Sequence, residues 1–103
     1  MKKIIFTCPR DETEKLRFAV WNAWAWVNWN YSFCSIVSEI TGYFQANSWA
    51  HPAIWKIWNI EEILEHKVEF ICENHEIAKI IPTLKEKHSY ETPHIEIYDV
   101  NLV

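Results

Sequence analysis

The sequence predicts a small α+β domain, and three observations predict it. Strand-like and helix-like segments follow one another in the order β-α-β-β-α-β. The last strand alternates cleanly, with Ile95 and Ile97 on one face and His94, Glu96 and Tyr98 on the other. A chain of 103 residues is one domain with one modest core. The economical architecture for this order is a ferredoxin-like split βαβ sandwich, a four-stranded antiparallel sheet with both helices on one face. Strands one and three are expected to be central and parallel, with right-handed crossovers. The other sheet face needs cover, and in so small a domain self-association supplies it.

The elements follow in order. Lys3 to Thr7 is a β-prone run that Pro9 ends. Asp11-Glu12-Thr13-Glu14 starts a helix, with Asp11 as cap and Glu14 reaching back as in a capping box. Leu16, Ala19, Val20 and Ala23 make its apolar stripe. A tryptophan-rich turn follows, from Trp21 to Tyr31, where a helix leaving for a strand usually needs glycine. Tyr31 to Val37 is the second strand. Gly42 marks a bend, and Tyr43-Phe44-Gln45 is extended again. Ala46 to Trp58 contains Pro52 and no period, which predicts a long loop of functional or interface character. Glu61 to His66 reads as a charged connector of one helical turn, and Lys67 to Cys72 as the third strand. Asn74 caps a second helix with the stripe Ile77, Ile80, Ile81 and Leu84. Pro82 inside it predicts a kink, or a cost of about 3 kcal/mol relative to Ala. His88 to Pro93 is a turn before the last strand.

Charge and composition exclude several functions. The net charge is −4, with no basic patch to neutralise phosphates, so no nucleic-acid partner is expected. No apolar run approaches the ~18 residues of a membrane helix. The short run Ile4-Ile5-Phe6 ends too early for a signal peptide, and a cytoplasmic protein is expected. Cys8, Cys34 and Cys72 form no C-x-x-C pair and read as buried or half-buried thiols in strands. The five histidines form no H-x-x-x-H pair. Glu12-Glu14 and Glu61-Glu62 read as solvated faces. No phosphate loop or nucleophile elbow is written, so no cofactor and no catalysis is expected.

Two places carry a resemblance. His88-x-Tyr90-Glu91-x-Pro93 before a strand resembles the H-P-Y-E-x-P turn of the CutA and PII-like group. Asn30-Tyr31-x-x-Cys34-Ser35, Gly42-x-Phe44 and Ala50-x-Pro52-x-Ile54 resemble elements of a domain inserted in bacterial NGG-interacting-factor-three-like proteins, which also occurs free-standing. The resemblance covers nearly the whole chain. It implies a ferredoxin-like domain that assembles as a homo-oligomer, a trimer in the CutA and PII manner. It does not bring the family's dinuclear metal centre, whose ligands lie in the flanking domains. The chain departs from the family turn at Ser89 and Thr92, where Pro and Glu are usual, and Ile40 stands at a glycine-rich position.

The glycines are the sharper departure. The chain has one Gly and seven Trp, where about 7% Gly is usual. The family reads A-G-A-G-x-x-G-N-Y where this chain reads Ala23-Trp24-Ala25-Trp26-Val27-Asn28-Trp29-Asn30-Tyr31, and Trp49, Trp55 and Trp58 also fall on family glycines. Trp21 falls where Gly is common. This pattern implies a gene that uses UGA for glycine, translated with a table reading UGA as tryptophan. The alternative is a tryptophan-rich surface for binding or assembly.

A regulatory or ligand-binding role is expected. The candidate residues are Asn30, Tyr31 and Cys34 where they meet the turn His88, Tyr90 and Glu91, across a subunit boundary if need be. The alternative is a divalent-metal-binding protein of the ion-tolerance kind, with His88, Glu91 and His94 as ligands.

Overall fold

A computed structural model describes residues 1–23, 34–49 and 58–103. Most of the tryptophan-rich turn, the first residues of the expected second strand, and most of the expected loop with Pro52 lie outside them, whereas Trp21 to Ala23 are the last residues of the first helix. The described elements are β1 (Lys2–Pro9), α1 (Thr13–Ala23), β2 (Ile36–Gln45), β3 (Ile60–Cys72), α2 (Ile77–Lys87) and β4 (Ile95–Asp99). Single 3₁₀ turns, Arg10–Glu12 and Asn74–Glu76, lead into the helices. The helices therefore start later than Asp11 and Asn74 suggested, and neither 3₁₀ turn carries a side-chain cap. Glu14 pairs forward with Arg17 at 2.6 Å.

The sheet order is β2-β3-β1-β4. Strands β1 and β3 are central, as expected, but they run antiparallel, not parallel. The reason is the direct return from β2 into β3, which reverses the chain. The strand parallel to β1 is β2, two places away, because both are antiparallel to β3.

Alternation places Ile4, Phe6 and Cys8 of β1 on the same face as Val68, Phe70 and Cys72 of β3. Against them pack Leu16 and Val20 from α1 and Ile80 and Leu84 from α2, forming the core. Trp21, Ile77, Ile81 and Ile95 pack at its margin. Both apolar stripes thus face the sheet. Helix α2 continues through Pro82 because Pro82 and Ala78, whose carbonyl loses its donor, are exposed to water.

The segment Glu61 to His66 is not a helical turn but the first half of a 13-residue strand. Likewise Gly42 does not bend the chain; β2 runs straight through it. Strand β1 stops where Pro9 pairs with Glu65. Beyond that pair, Thr41–Gln45 and Leu64–Ile60 form a two-stranded arm projecting past the four-stranded body.

Candidate functional site

The turn after α2 sits at the junction of body and arm. His88 closes α2, its N–H donating to the Leu84 carbonyl at 2.9 Å. Its ring is buried and fully engaged. The Nε2–H donates to the Thr7 carbonyl at 2.7 Å, and Nδ1 accepts the Tyr90 backbone N–H at 3.0 Å. A carbonyl can only accept and an N–H can only donate, so the ring is the neutral Nε2–H tautomer. The His88 and Tyr90 rings lie 4.7 Å apart.

Tyr90 then reaches under the arm. Its hydroxyl donates to Glu65 Oε2 at 2.8 Å, and its ring meets Phe44 edge-on at 6.0 Å. Burial pushes the phenol's pKa well above its usual value, helped by the Glu65 carboxylate. Glu65 is only 1% exposed. Strict alternation puts it on the face away from the helices, alongside Gly42 and Phe44. A Cβ on Gly42 would collide with the Glu65 carboxylate and with Phe44. Glycine is required here by close approach, not by a bend.

A second polar chain lies on the helix side of the same junction. The Cys8 thiol is 3.5 Å from Thr13 Oγ1, which is 2.6 Å from His66 Nδ1. Arg10 Nε donates to the Glu65 carbonyl at 3.3 Å. Burial raises the pKa of Cys8 and pushes that of Cys72 to about 11, so both are inert thiols.

Cys34 lies elsewhere. It lines an open hollow of about 360 Å³ with Lys3, Ser35, Ile36, Glu69 and Leu102. Lys3 pairs with Glu69 at 2.9 Å, and its hydrogen bond holds the Glu69 carboxyl below its usual pKa. Arg17 Nε donates to Ser35 Oγ at 3.1 Å beside it. Glu69 and Glu65 are four residues apart on β3, roughly 13 Å. Within one chain, the structure therefore does not bring Cys34 to the His88 turn. Asn30 and Tyr31 lie outside the described residues.

The metal set is not assembled either. Both His88 nitrogens are spent on backbone groups. His94 is largely exposed, with Nε2 3.5 Å from Glu96. Glu91 lies exposed in the turn. Among the described residues, no group of three metal-ligating side chains forms. Glu65, Thr13 and His66 are junction residues that the sequence reading missed. The available signal was a lone glycine on β2 diagonal to a glutamate on β3.

No family model matches the chain. Curated relatives do. The GTP cyclohydrolase 1 type 2 homolog of Mycobacterium tuberculosis is 32% identical over 98 residues, covering 95% of this chain and 26% of that protein. Its counterpart in Halalkalibacterium halodurans is 30% identical over 96 residues, covering 93% and 26%. The chain thus spans about a quarter of the length of these relatives. Among solved structures, a Bacillus cereus protein related to NIF3 superposes with a TM-score of 0.80 at 25% identity, over 98% of this chain and 26% of that one. The divalent cation tolerance protein CutA of Archaeoglobus fulgidus gives 0.69 at 20%, over 100% and 87%.

The class is thereby defined as an α+β, ferredoxin-like fold of the CutA and PII-like kind. Within that class, the chain is a small NIF3-like domain. The expectation that catalysis plays no part is corrected by the relatives, which carry an enzyme's name at 30–32% identity. The sequence reading failed there because it searched one chain for a nucleophile or acid-base pair, whereas the named relatives are about four times longer. No described helix is long and apolar enough to cross a membrane.

Proposed function

We propose that residues 1–103 form a single self-associating domain that binds a small ligand and works with chemistry of the kind named for its relatives. The observation that carries this reading is the match itself. Nearly the whole chain aligns with about a quarter of each relative, so what is shared is a module. The relatives' name makes a guanine nucleotide the first ligand to test. The binding surface would join Asn30, Tyr31 and Cys34 of one copy to the turn His88, Tyr90 and Glu91 of the next, because Cys34 and that turn stand apart within one chain. Assembly as a trimer is the form that the CutA and PII-like resemblance favours, and a cytoplasmic setting goes with it. Calorimetry with GTP and light scattering test the two parts separately. Saturable heat, weakened in Glu91→Ala, is expected; no heat overturns the ligand class. A monomer at working concentration overturns self-association.

We further propose that the native protein carries glycine at the tryptophan positions. Trp58 supports this independently of the family pattern. Its φ is 69°, and it is the one non-glycine residue with positive φ among those described. A bulky side chain there costs on the order of 1–3 kcal/mol, which glycine avoids. The intact mass of the protein from its own host decides it. A mass lower by seven Trp-to-Gly differences is expected, and the mass of the written sequence overturns the idea.

A further inference from the structure

We infer that the hollow beside Cys34 receives a guanine base, with Glu69 accepting from its N1–H and 2-amino groups and Lys3 donating to its 6-oxo oxygen. This rests on the guanine-nucleotide reading proposed above and assigns the base to one place on the chain.

Three observations carry it. First, the sheet opens there. Among the described residues the β2–β3 ladder ends at the pair Ile36–Glu69, and Ser35 and Cys34 have left it. The result is an open hollow of about 360 Å³ against the flank of β3. That is near the small end of the range for ligand pockets, about 300–1,000 Å³, and it suits a flat base better than a whole nucleotide. Second, the hollow offers apolar walls to a ring, from Ile36, Phe70, Ile71 and Leu102. Third, its charged groups are ordered. Lys3 and Glu69 line it side by side, 2.9 Å apart, on the sheet face away from the helices.

That pair presents a donor next to an acceptor. Guanine's pairing edge presents the complement, the O6 acceptor next to the N1–H and 2-amino donors, whereas adenine reverses the order. The contact between Lys3 and Glu69 spends one N–H and one carboxylate oxygen. An ammonium has three donors and a carboxylate about four acceptor sites, so both can also serve a base. The hydrogen bond from Lys3 holds the Glu69 carboxyl below its usual pKa, so at neutral pH it only accepts. A base of the wrong pattern would leave these charges facing like groups, which such a site rejects strongly. Among the described residues Lys3 is the one cation lining the hollow, and the base engages it. The ribose and phosphates therefore stay outside.

Calorimetry of the full chain with a series of nucleotides tests the assignment. Guanosine monophosphate is expected to bind within about threefold of GTP. Inosine monophosphate, which lacks the 2-amino group, should bind about tenfold more weakly, and the adenosine and xanthosine monophosphates more weakly still. Glu69→Gln should weaken the guanosine nucleotide at least about tenfold and strengthen the xanthosine nucleotide, because a carboxamide can donate to a 2-oxo group. A merely structural role for Glu69 would not exchange the two preferences. If the variant fails to fold, the series on the wild type decides. Adenosine monophosphate binding as tightly as its guanosine counterpart, or guanosine monophosphate binding unchanged in Glu69→Gln, overturns the hollow while leaving a nucleotide as the ligand. No saturable heat with any of them overturns both readings.

Discussion

The body and the arm are made of the same two strands, yet they obey different rules. In the body, β3 lies between β1 and β2 and buries Val68, Phe70 and Cys72 under the helices. In the arm, the same strand has one neighbour, and both its faces meet water except where Glu65 and Tyr90 close the base. The body is held by apolar burial from one side. The arm is held by its ladder and by one buried polar clamp. The difference teaches that one hairpin is stabilised by different means along its length.

Truncation should expose that division most strongly. Leu84→Ala removes a fully buried side chain and should cost about 2–5 kcal/mol in urea unfolding. Leu64→Ala, on the exposed arm, should change the monomer's stability by no more than ~0.5 kcal/mol. Equal costs would break the comparison, because they would mean that the arm belongs to the core.

The junction should respond next. Gly42→Ala forces a methyl group into the Glu65 carboxylate and the Phe44 ring, and overpacking of this kind costs about 1–3 kcal/mol. Tyr90→Phe leaves the buried Glu65 carboxylate without its hydroxyl donor, again about 1–3 kcal/mol. The two changes meet at one carboxylate, so their effects should be non-additive in a double-mutant cycle. Strict additivity would show that Glu65 does not couple the turn to the arm.

The same division explains what was legible in the sequence. The stripes of Leu16 with Val20 and of Ile80 with Leu84 announce burial on one side, and these helices stand where they were expected; β4 also lies where it was expected, but Ile97 is 44% exposed. Glu61 to His66 was misread because an exposed ribbon has no apolar face to set its period. The run Ile60-Glu61-Glu62-Ile63-Leu64 mixes both kinds of residue on both faces. Gly42 was misread because sequence records the missing side chain but not the carboxylate that occupies its place. Half of the candidate site was readable as a turn motif. Its geometry was not, since His88 spends both nitrogens on backbone groups far away in sequence.

The smallest expected effect concerns one carboxylate of the body and its dependence on pH. In the body, Lys3 holds Glu69 below its usual pKa by a hydrogen bond and by its charge. A depressed carboxylate stabilises the fold above its unfolded-state value, near ~4.3 for Glu, and loses that contribution as pH falls through the folded value. Acid should therefore weaken the monomer partly through Glu69. Lys3→Met removes the pairing, so the variant should be less stable at neutral pH and should lose less stability than wild type on going to acid. Urea midpoints measured at pH 7 and below pH 4 give both slopes. Parallel slopes would mean that the Lys3–Glu69 pair adds nothing that water does not already supply, as is common for ion pairs near a surface.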